Sequence, residues 1–180
     1  MILGGPGSGK GTQLRALSQA LHLPSISVGE ILRQAIAQNT FLGQQAERHL
    51  KKGELVPDGV MIQFMRLRLL QEDVKAGWLM EGYPRTAFQA EELHFLLEDF
   101  QQRLDWAIYL KVDAATMTAR SAARSRSDDA PAVLQQRIKA FEERTLPILE
   151  YYGSRGRLLT IDAQADPEQV SREILQKLES

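Results

Sequence analysis

Apolar positions along this chain follow two rhythms that alternate from one end to the other. Short stretches rich in apolar residues occur at 1–3, 23–28, 78–80, 104–112 and 158–161, and they read as strands. Between them, apolar residues recur every three or four positions, which is the period of one helix face. Helices are expected at 13–21, 29–37, 40–52, 59–71, 86–100, 113–124 and 132–152, with a closing helix after Asp166. Leu14, Leu17 and Leu21 share one face of the first of these. Five strands separated by helices imply an α/β fold in three layers, a five-stranded parallel sheet covered by helices on both faces.

Polar and conformationally special residues set the boundaries. Asp58 is placed to cap the helix at 59–71 after the break Gly53-Glu54-Leu55-Val56-Pro57. Thr86 with Gln89 three residues later forms a capping box. Asp166 and Pro167 supply an N-cap and a first-turn proline. Pro147 lies inside the stretch 132–152 and predicts a kink or break near Leu146. Two stretches depart from the strand–helix alternation. Residues 29–77 place three helices between consecutive strands, and 125–131 is polar and irregular. Both are expected to move. The first strand is short against a usual length of about five or six residues, so a natural start further upstream is expected.

Composition narrows the field. The chain has 180 residues, 43% hydrophobic and 25% charged, which suits one globular domain. A formal net charge of −1 advertises neither a nucleic-acid nor a membrane surface. There is no cysteine, so a disulfide frame and a cysteine-based zinc site are excluded. No apolar run is long enough to span a bilayer, and a cytoplasmic monomer is the expectation. His22, His49 and His94 are scattered without ligand spacing, and Trp78 and Trp106 read as core. The 22 basic residues divide into fifteen Arg and seven Lys. Arginine is the planar, bidentate reader of phosphate, so the excess fits a phosphate-rich site.

The chemistry begins directly after the first apolar run, at Gly4-Gly5-Pro6-Gly7-Ser8-Gly9-Lys10-Gly11-Thr12. A strand, a glycine-rich turn and a helix that opens on a lysine make a phosphate-binding loop. Glycines let backbone N–H groups converge on an anion, and the helix N-terminus adds partial positive charge at the same point. Lys10 can reach the outer phosphates of a nucleoside triphosphate. The usual hydroxyl residue after the lysine is displaced by Gly11, and Thr12 supplies it. Arginines then recur where strands and inserts open towards the loop: Arg33, Arg85, Arg120, Arg124, Arg126 and Arg137. With a phosphate loop they suggest two phosphorylated substrates held end to end.

The sequence resembles the adenylate kinases, within the nucleoside monophosphate kinases. The resemblance rests on GGPGSGKGTQ at 4–13, ISVGEILR at 26–33, GELVPD at 53–58, EGYPRTAFQ at 81–89, and RSAARSRSDD at 120–129 followed by Arg137. It implies a core of 1–27, 57–124 and 132–180, a monophosphate-binding insert at 28–56, and a very short lid at 125–131. The implied reaction is reversible transfer of the ATP γ-phosphoryl group to AMP, giving two ADP. Gly7, Ser8, Gly9, Lys10, Gly11 and Thr12 would hold the ATP phosphates. Arg120 would flank the ATP adenine, Arg124 would meet its phosphates, and the carbonyl near Ala165 would approach its base. Arg33 and Arg85 would clamp the AMP phosphate, and Arg126 and Arg137 would neutralise the phosphoryl group in flight. Val28, Glu54, Leu55, Val56, Gly82, Tyr83 and Pro84 would line the AMP site, with Gln89 reading the base. Mg2+ would be held through waters and phosphates near Thr12 and Glu81, with no zinc and no direct protein cage. Lid closure is a known property of this family. Asp128 and Asp129 could cap the following helix or latch the lid to its arginines.

The sequence departs from the family pattern at several points. Val28 replaces the usual Thr, Glu30 and Glu81 replace Asp, and the lid is short even beside the family's short forms. Two competing readings remain open on the sequence. One is a kinase for UMP or CMP, which Val28 favours and Gln89 opposes. The other is a non-catalytic nucleotide-binding relative, which the short lid favours and the full arginine set opposes.

Overall fold

The computed structural model describes residues 1–124 and 130–179, with Arg124 as backbone alone. Five strands form one parallel sheet: β1 (Ile2–Leu3), β2 (Ser25–Ser27), β3 (Leu79–Glu81), β4 (Ala107–Lys111) and β5 (Leu158–Asp162). Their order is β2-β3-β1-β4-β5, so β1 is central and bonds to β3 on one side and β4 on the other. The strand order reverses at β1, and in open α/β sheets the crevice beyond the carboxyl end of such a strand is where ligands bind.

The helices are α1 (Lys10–Leu21), α2 (Val28–Ala37), α3 (Phe41–Lys52), α4 (Asp58–Leu69), α5 (Ala87–Asp99), α6 (Ala114–Arg124), α7 (Pro131–Ala140), α8 (Pro147–Gly153) and α9 (Pro167–Glu179). They divide the core in two. Leu3, Ile26, Met80 and Ala107 pack with Leu32, Met65, Leu93 and Ile148 on one face of the sheet. Ile2, Leu79, Ile108 and Leu110 pack with Leu14, Leu17, Ile138 and Ile174 on the other. Neighbouring strand residues fall into different clusters, as the two-residue period of a strand requires. The expected three-layer α/β fold is therefore what the chain forms.

Several local expectations shift by a residue or more. The strand expected at 104–112 is paired over Ala107–Lys111 only, because β5 opposes it over that register. The strand expected at 23–28 contracts to Ser25–Ser27, and Val28 becomes the first residue of α2. Asp58 does not cap α4. Pro57 occupies that position, and the Asp58 side chain turns instead towards α5, where it accepts from Gln89 and Thr86. The stretch 132–152 breaks before Pro147, which has no N–H to continue the ladder. The break takes the form of a wide π-type turn, Phe141–Thr145, between α7 and α8. The Asp166 cap forms as expected, its carboxylate accepting from the N–H groups of Glu168 and Gln169.

The helices of the first insert approach closely. A Cβ on Gly43 of α3 would stand 2.1 Å from the Ala35 carbonyl oxygen, so only glycine lets α2 and α3 pack at this separation. His22, Asn39 and Gln101 take left-handed conformations just after α1, α2 and α5.

Candidate active site

The loop leaves β1 and turns into α1 through Gly7 at φ 72° and Gly9 at φ 92°, conformations open to glycine at little cost. At Gly7 space adds a second constraint. A Cβ there would lie 2.5 Å from the Met117 carbonyl oxygen and 2.9 Å from Ser121 Oγ, so α6 presses directly against the underside of the loop. Gly9 is the N-cap of α1, and its carbonyl accepts from the N–H groups of Thr12 and Gln13, each at 3.0 Å. The Lys10 ammonium arches back to the Gly5 carbonyl at 2.7 Å, which holds it over the loop. The Ser8 and Ser121 hydroxyls are buried without a hydrogen-bond partner among the described residues.

A cleft of about 650 Å3 opens in front of this loop. Gly7, Ser8, Gly9, Lys10, Gly11 and Thr12 line its floor, and Arg33, Glu81, Arg85, Arg120, Arg137 and Ala165 line its walls. Arg120 donates to the carbonyls of Ala163 at 2.8 Å and Gln164 at 3.0 Å, so the edge of its guanidinium is tied down. An arginine fixed by its edge presents a planar face on which an aromatic base can stack. Gln13, buried behind the loop, donates to the Pro167 carbonyl at 2.8 Å and accepts from Ser171 at 2.6 Å. It ties the phosphate loop to the segment that forms the far wall.

Arg33, Arg85 and Arg137 also border a second space, of about 80 Å3, together with Glu54, Leu55, Gly82 and Pro84. A narrower one beyond it, of about 20 Å3, is lined by Val28, Val56, Tyr83 and Gln89. The three arginines thus stand between the loop and the residues of the first insert. Arg85 follows the Tyr83–Pro84 peptide, which is cis, and its Nε donates to the Gly82 carbonyl at 2.8 Å. Tyr83 is fully buried and donates to the Gln89 carbonyl at 3.3 Å. Burial, with Asp58 and Glu92 nearby, pushes its hydroxyl far above the usual range, so it stays protonated. At the edge of the main cleft the Ser27 hydroxyl donates to Glu81 at 2.5 Å.

Every expected site residue outside 124–129 therefore lines one of these adjoining spaces. Arg126, Asp128, Asp129 and the Arg124 side chain lie outside the described residues, as does most of the expected lid. Four participants in the site's architecture were not singled out from sequence: Gln13, Ser171, Thr145, and Asp58 in its observed role. Gln13 left a signal, being polar beside the apolar face of Leu14 and Leu17. The others act through residues distant in sequence.

Comparison with known proteins agrees with this geometry. The family model described as Adenylate kinase matches residues 2–157. Over 178 residues the chain is 56% identical to Adenylate kinase 2 of Synechocystis sp., covering 99% of this chain and 98% of that protein. It is 54% identical over 178 residues to Adenylate kinase 2 of Nostoc sp., covering 99% and 97%. More distant is Adenylate kinase of Bifidobacterium longum, 37% identical over 183 residues. A phosphate loop at the reversal point of a parallel sheet, arginines bordering two adjoining spaces, and end-to-end similarity of this extent lead to one conclusion: the chain belongs to the adenylate kinase family.

Proposed function

We propose that the chain catalyses reversible transfer of the γ-phosphoryl group of ATP to AMP, giving two ADP. The observation that carries this reading is the position of Arg33, Arg85 and Arg137, which border both the loop cleft and the space beside the first insert. A phosphate bound on one side of these arginines would face a phosphate bound on the other, and phosphoryl transfer demands such in-line placement.

In this reading Lys10 and the N–H groups of residues 7–12 hold the triphosphate, the face of Arg120 takes the ATP adenine, and the Ala165 segment closes the wall beside it. Arg33 and Arg85 hold the AMP phosphate. An oxygen of that phosphate attacks the γ-phosphorus while the bond to the bridging oxygen breaks and ADP leaves. Arg137, with Arg124 and Arg126, neutralises the charge on the transferring group, and no covalent intermediate on the protein is needed. Gln89 reads the acceptor base. The insert at 28–56 and the lid at 125–131 close over the core and exclude water that would otherwise accept the phosphoryl group.

Among the described residues, no group of three or more His, Asp or Glu side chains could hold a metal ion. The Glu81 carboxylate, which accepts from Ser27, and the Thr12 hydroxyl line the same cleft, as do Glu30 and Asp166, which form no metal-holding group of three with it. Such a sparse donor set fits Mg2+, which keeps several waters and binds through few carboxylates and the substrate phosphates. When bound, Mg2+ would add charge neutralisation at the phosphates. Thr12 and Glu81 are the residues that would hold it, Glu81 through water.

ATP, AMP and ADP are the partners in this reading, and the near-neutral chain of 180 residues without cysteine is consistent with a cytoplasmic monomer. Among the described residues no helix is long and apolar enough to cross a membrane.

A coupled assay of ADP formation with AMP, CMP and UMP as acceptors tests the proposal. AMP is expected to be the preferred acceptor. No turnover with AMP, or a preference for CMP or UMP, would overturn it.

A further inference from the structure

The side-chain amide of Gln89 is buried, 2% exposed, at the narrow end of the acceptor space. Its Oε1 accepts from the backbone N–H of Arg85 at 2.8 Å, and its Nε2 donates to Asp58 Oδ1 at 2.7 Å. A backbone N–H can only donate and a carboxylate can only accept. The amide therefore has one permitted orientation, because a flip would set NH2 against N–H and C=O against the carboxylate.

Asp58 is itself held. Its Oδ1 also accepts from Thr86 Oγ1 at 3.2 Å, and Thr86 Oγ1 accepts from the Gln89 N–H at 3.1 Å. The three side chains close a ring across α4 and α5. A primary amide carries two N–H bonds and two carbonyl lone pairs. The ring and Arg85 use one of each, which leaves one N–H and one lone pair for a ligand.

That remainder has a defined chemical complement. The N1 and N6 edge of adenine accepts at one atom and donates at the next. A 6-oxopurine donates at N1 and accepts at O6, the reverse pattern. A free glutamine amide satisfies either base by flipping, whereas a locked one satisfies only one of them. Resting on the reading of Gln89 as the base-facing residue, we propose that Asp58 is a positioning residue that sets purine specificity. Its carboxylate holds the Gln89 amide in the orientation that accepts adenine and rejects a 6-oxopurine.

The test compares kcat/KM for AMP and for inosine 5′-monophosphate at saturating ATP in the parent, Asp58→Ala, Asp58→Asn and Gln89→Ala. The ratio of two acceptors in one preparation is insensitive to a loss of active protein. Asp58→Ala is expected to lower the AMP-to-inosine ratio about tenfold, since one of two anchors is gone. Asp58→Asn keeps the shape and can still accept from Nε2, but its own amide can follow a flip of Gln89. It is expected to lower the ratio about threefold, and it carries the test if Asp58→Ala fails to fold. The proposal is overturned if Gln89→Ala collapses the ratio while both Asp58 variants stay within a factor of two of the parent. If Gln89→Ala itself leaves the ratio unchanged, the base is read elsewhere, and the underlying reading fails along with the lock.

Discussion

The hydroxyl of Thr145 donates to the carbonyl of Arg85 at 3.0 Å, joining residues sixty apart in sequence. Thr145 ends the π-type turn between α7 and α8 and is buried, 6% exposed. With the Arg85 N–H bound by Gln89 and its Nε bound to Gly82, this arginine is fixed at three points. The irregular turn thus positions an arginine that borders both spaces of the site. Thr145→Val keeps the shape and removes the donor. It is expected to destabilise the fold by about 1–2 kcal/mol and to raise KM for AMP more than KM for ATP. Urea unfolding with steady-state kinetics measures both, and equal changes in the two KM values would refute the link.

Lys10 is expected to matter for turnover and little for folding, because it lines the cleft and its ammonium donates to a carbonyl of its own loop, that of Gly5. Lys10→Ala should lower kcat by roughly a hundredfold or more, the scale of removing one preorganised charge from a transition state. Its circular dichroism should match the parent. Turnover within a few-fold of the parent would sink the assignment of the loop.

Gly43→Ala places a methyl group 2.1 Å from the Ala35 carbonyl oxygen, which is backbone and cannot swing aside. Helices α2 and α3 must separate, at a cost of about 3 kcal/mol for overpacking. The change falls within the first insert, so KM for AMP should rise while KM for ATP stays near the parent. A thermal midpoint unchanged from the parent would show that the two helices part freely.

Val28 is 1% exposed and lines the same narrow space as Gln89. It offers no hydrogen bond to a base. Val28→Thr is expected to raise the preference for AMP over CMP and UMP, with a small loss of stability from the buried hydroxyl. Acceptor panels at saturating ATP check this, and an unchanged preference would mean that position 28 does not face the base.

Two exposed carboxylates shape the acid limb of stability. Hydrogen bonds from Arg68 at 3.0 and 2.8 Å hold Asp73 below its ordinary 3.8, and the Thr116 N–H at 2.7 Å does the same for Asp113. A group depressed in the folded state contributes stability that is present above its unfolded value and lost as pH falls through its folded value. The urea midpoint should therefore decline below about pH 4, and Asp73→Asn should make that decline shallower. A variant with the same slope as the parent would exclude the Asp73 pair as a contributor.

The sequence made the loop, the five strands, the arginine set and the break at Pro147 legible, because each is written in neighbouring residues. Thr86 and Gln89 were readable as a capping box, and Thr86 Oγ1 does accept from the Gln89 N–H. The reciprocal half was misread by one residue. Gln89 reaches the N–H of Arg85 rather than that of Thr86, because its Nε2 is drawn to Asp58, 31 residues away. A local motif cannot report a competing partner on another helix. Leu104 and Trp106 are as apolar as the strand they precede, yet no strand opposes them in the ladder. Their exclusion from β4 depends on the register of β5, a property of the sheet and not of the segment.

The order β2-β3-β1-β4-β5 also bears on how the chain could be divided. The exposed connection between α5 and β4, residues 101–105, separates the elements on one side of β1 from β4 and β5 on the other. A chain cut there leaves a first fragment with three adjoining strands, the phosphate loop and the acceptor-side helices. The second fragment holds a lone strand pair, and its β4 has lost the neighbour that supplies half of its ladder. The fragments present complementary edges, and neither contains the whole lining of the main cleft. Divided in this way, the enzyme becomes a two-component system in which catalysis reports that its halves have met.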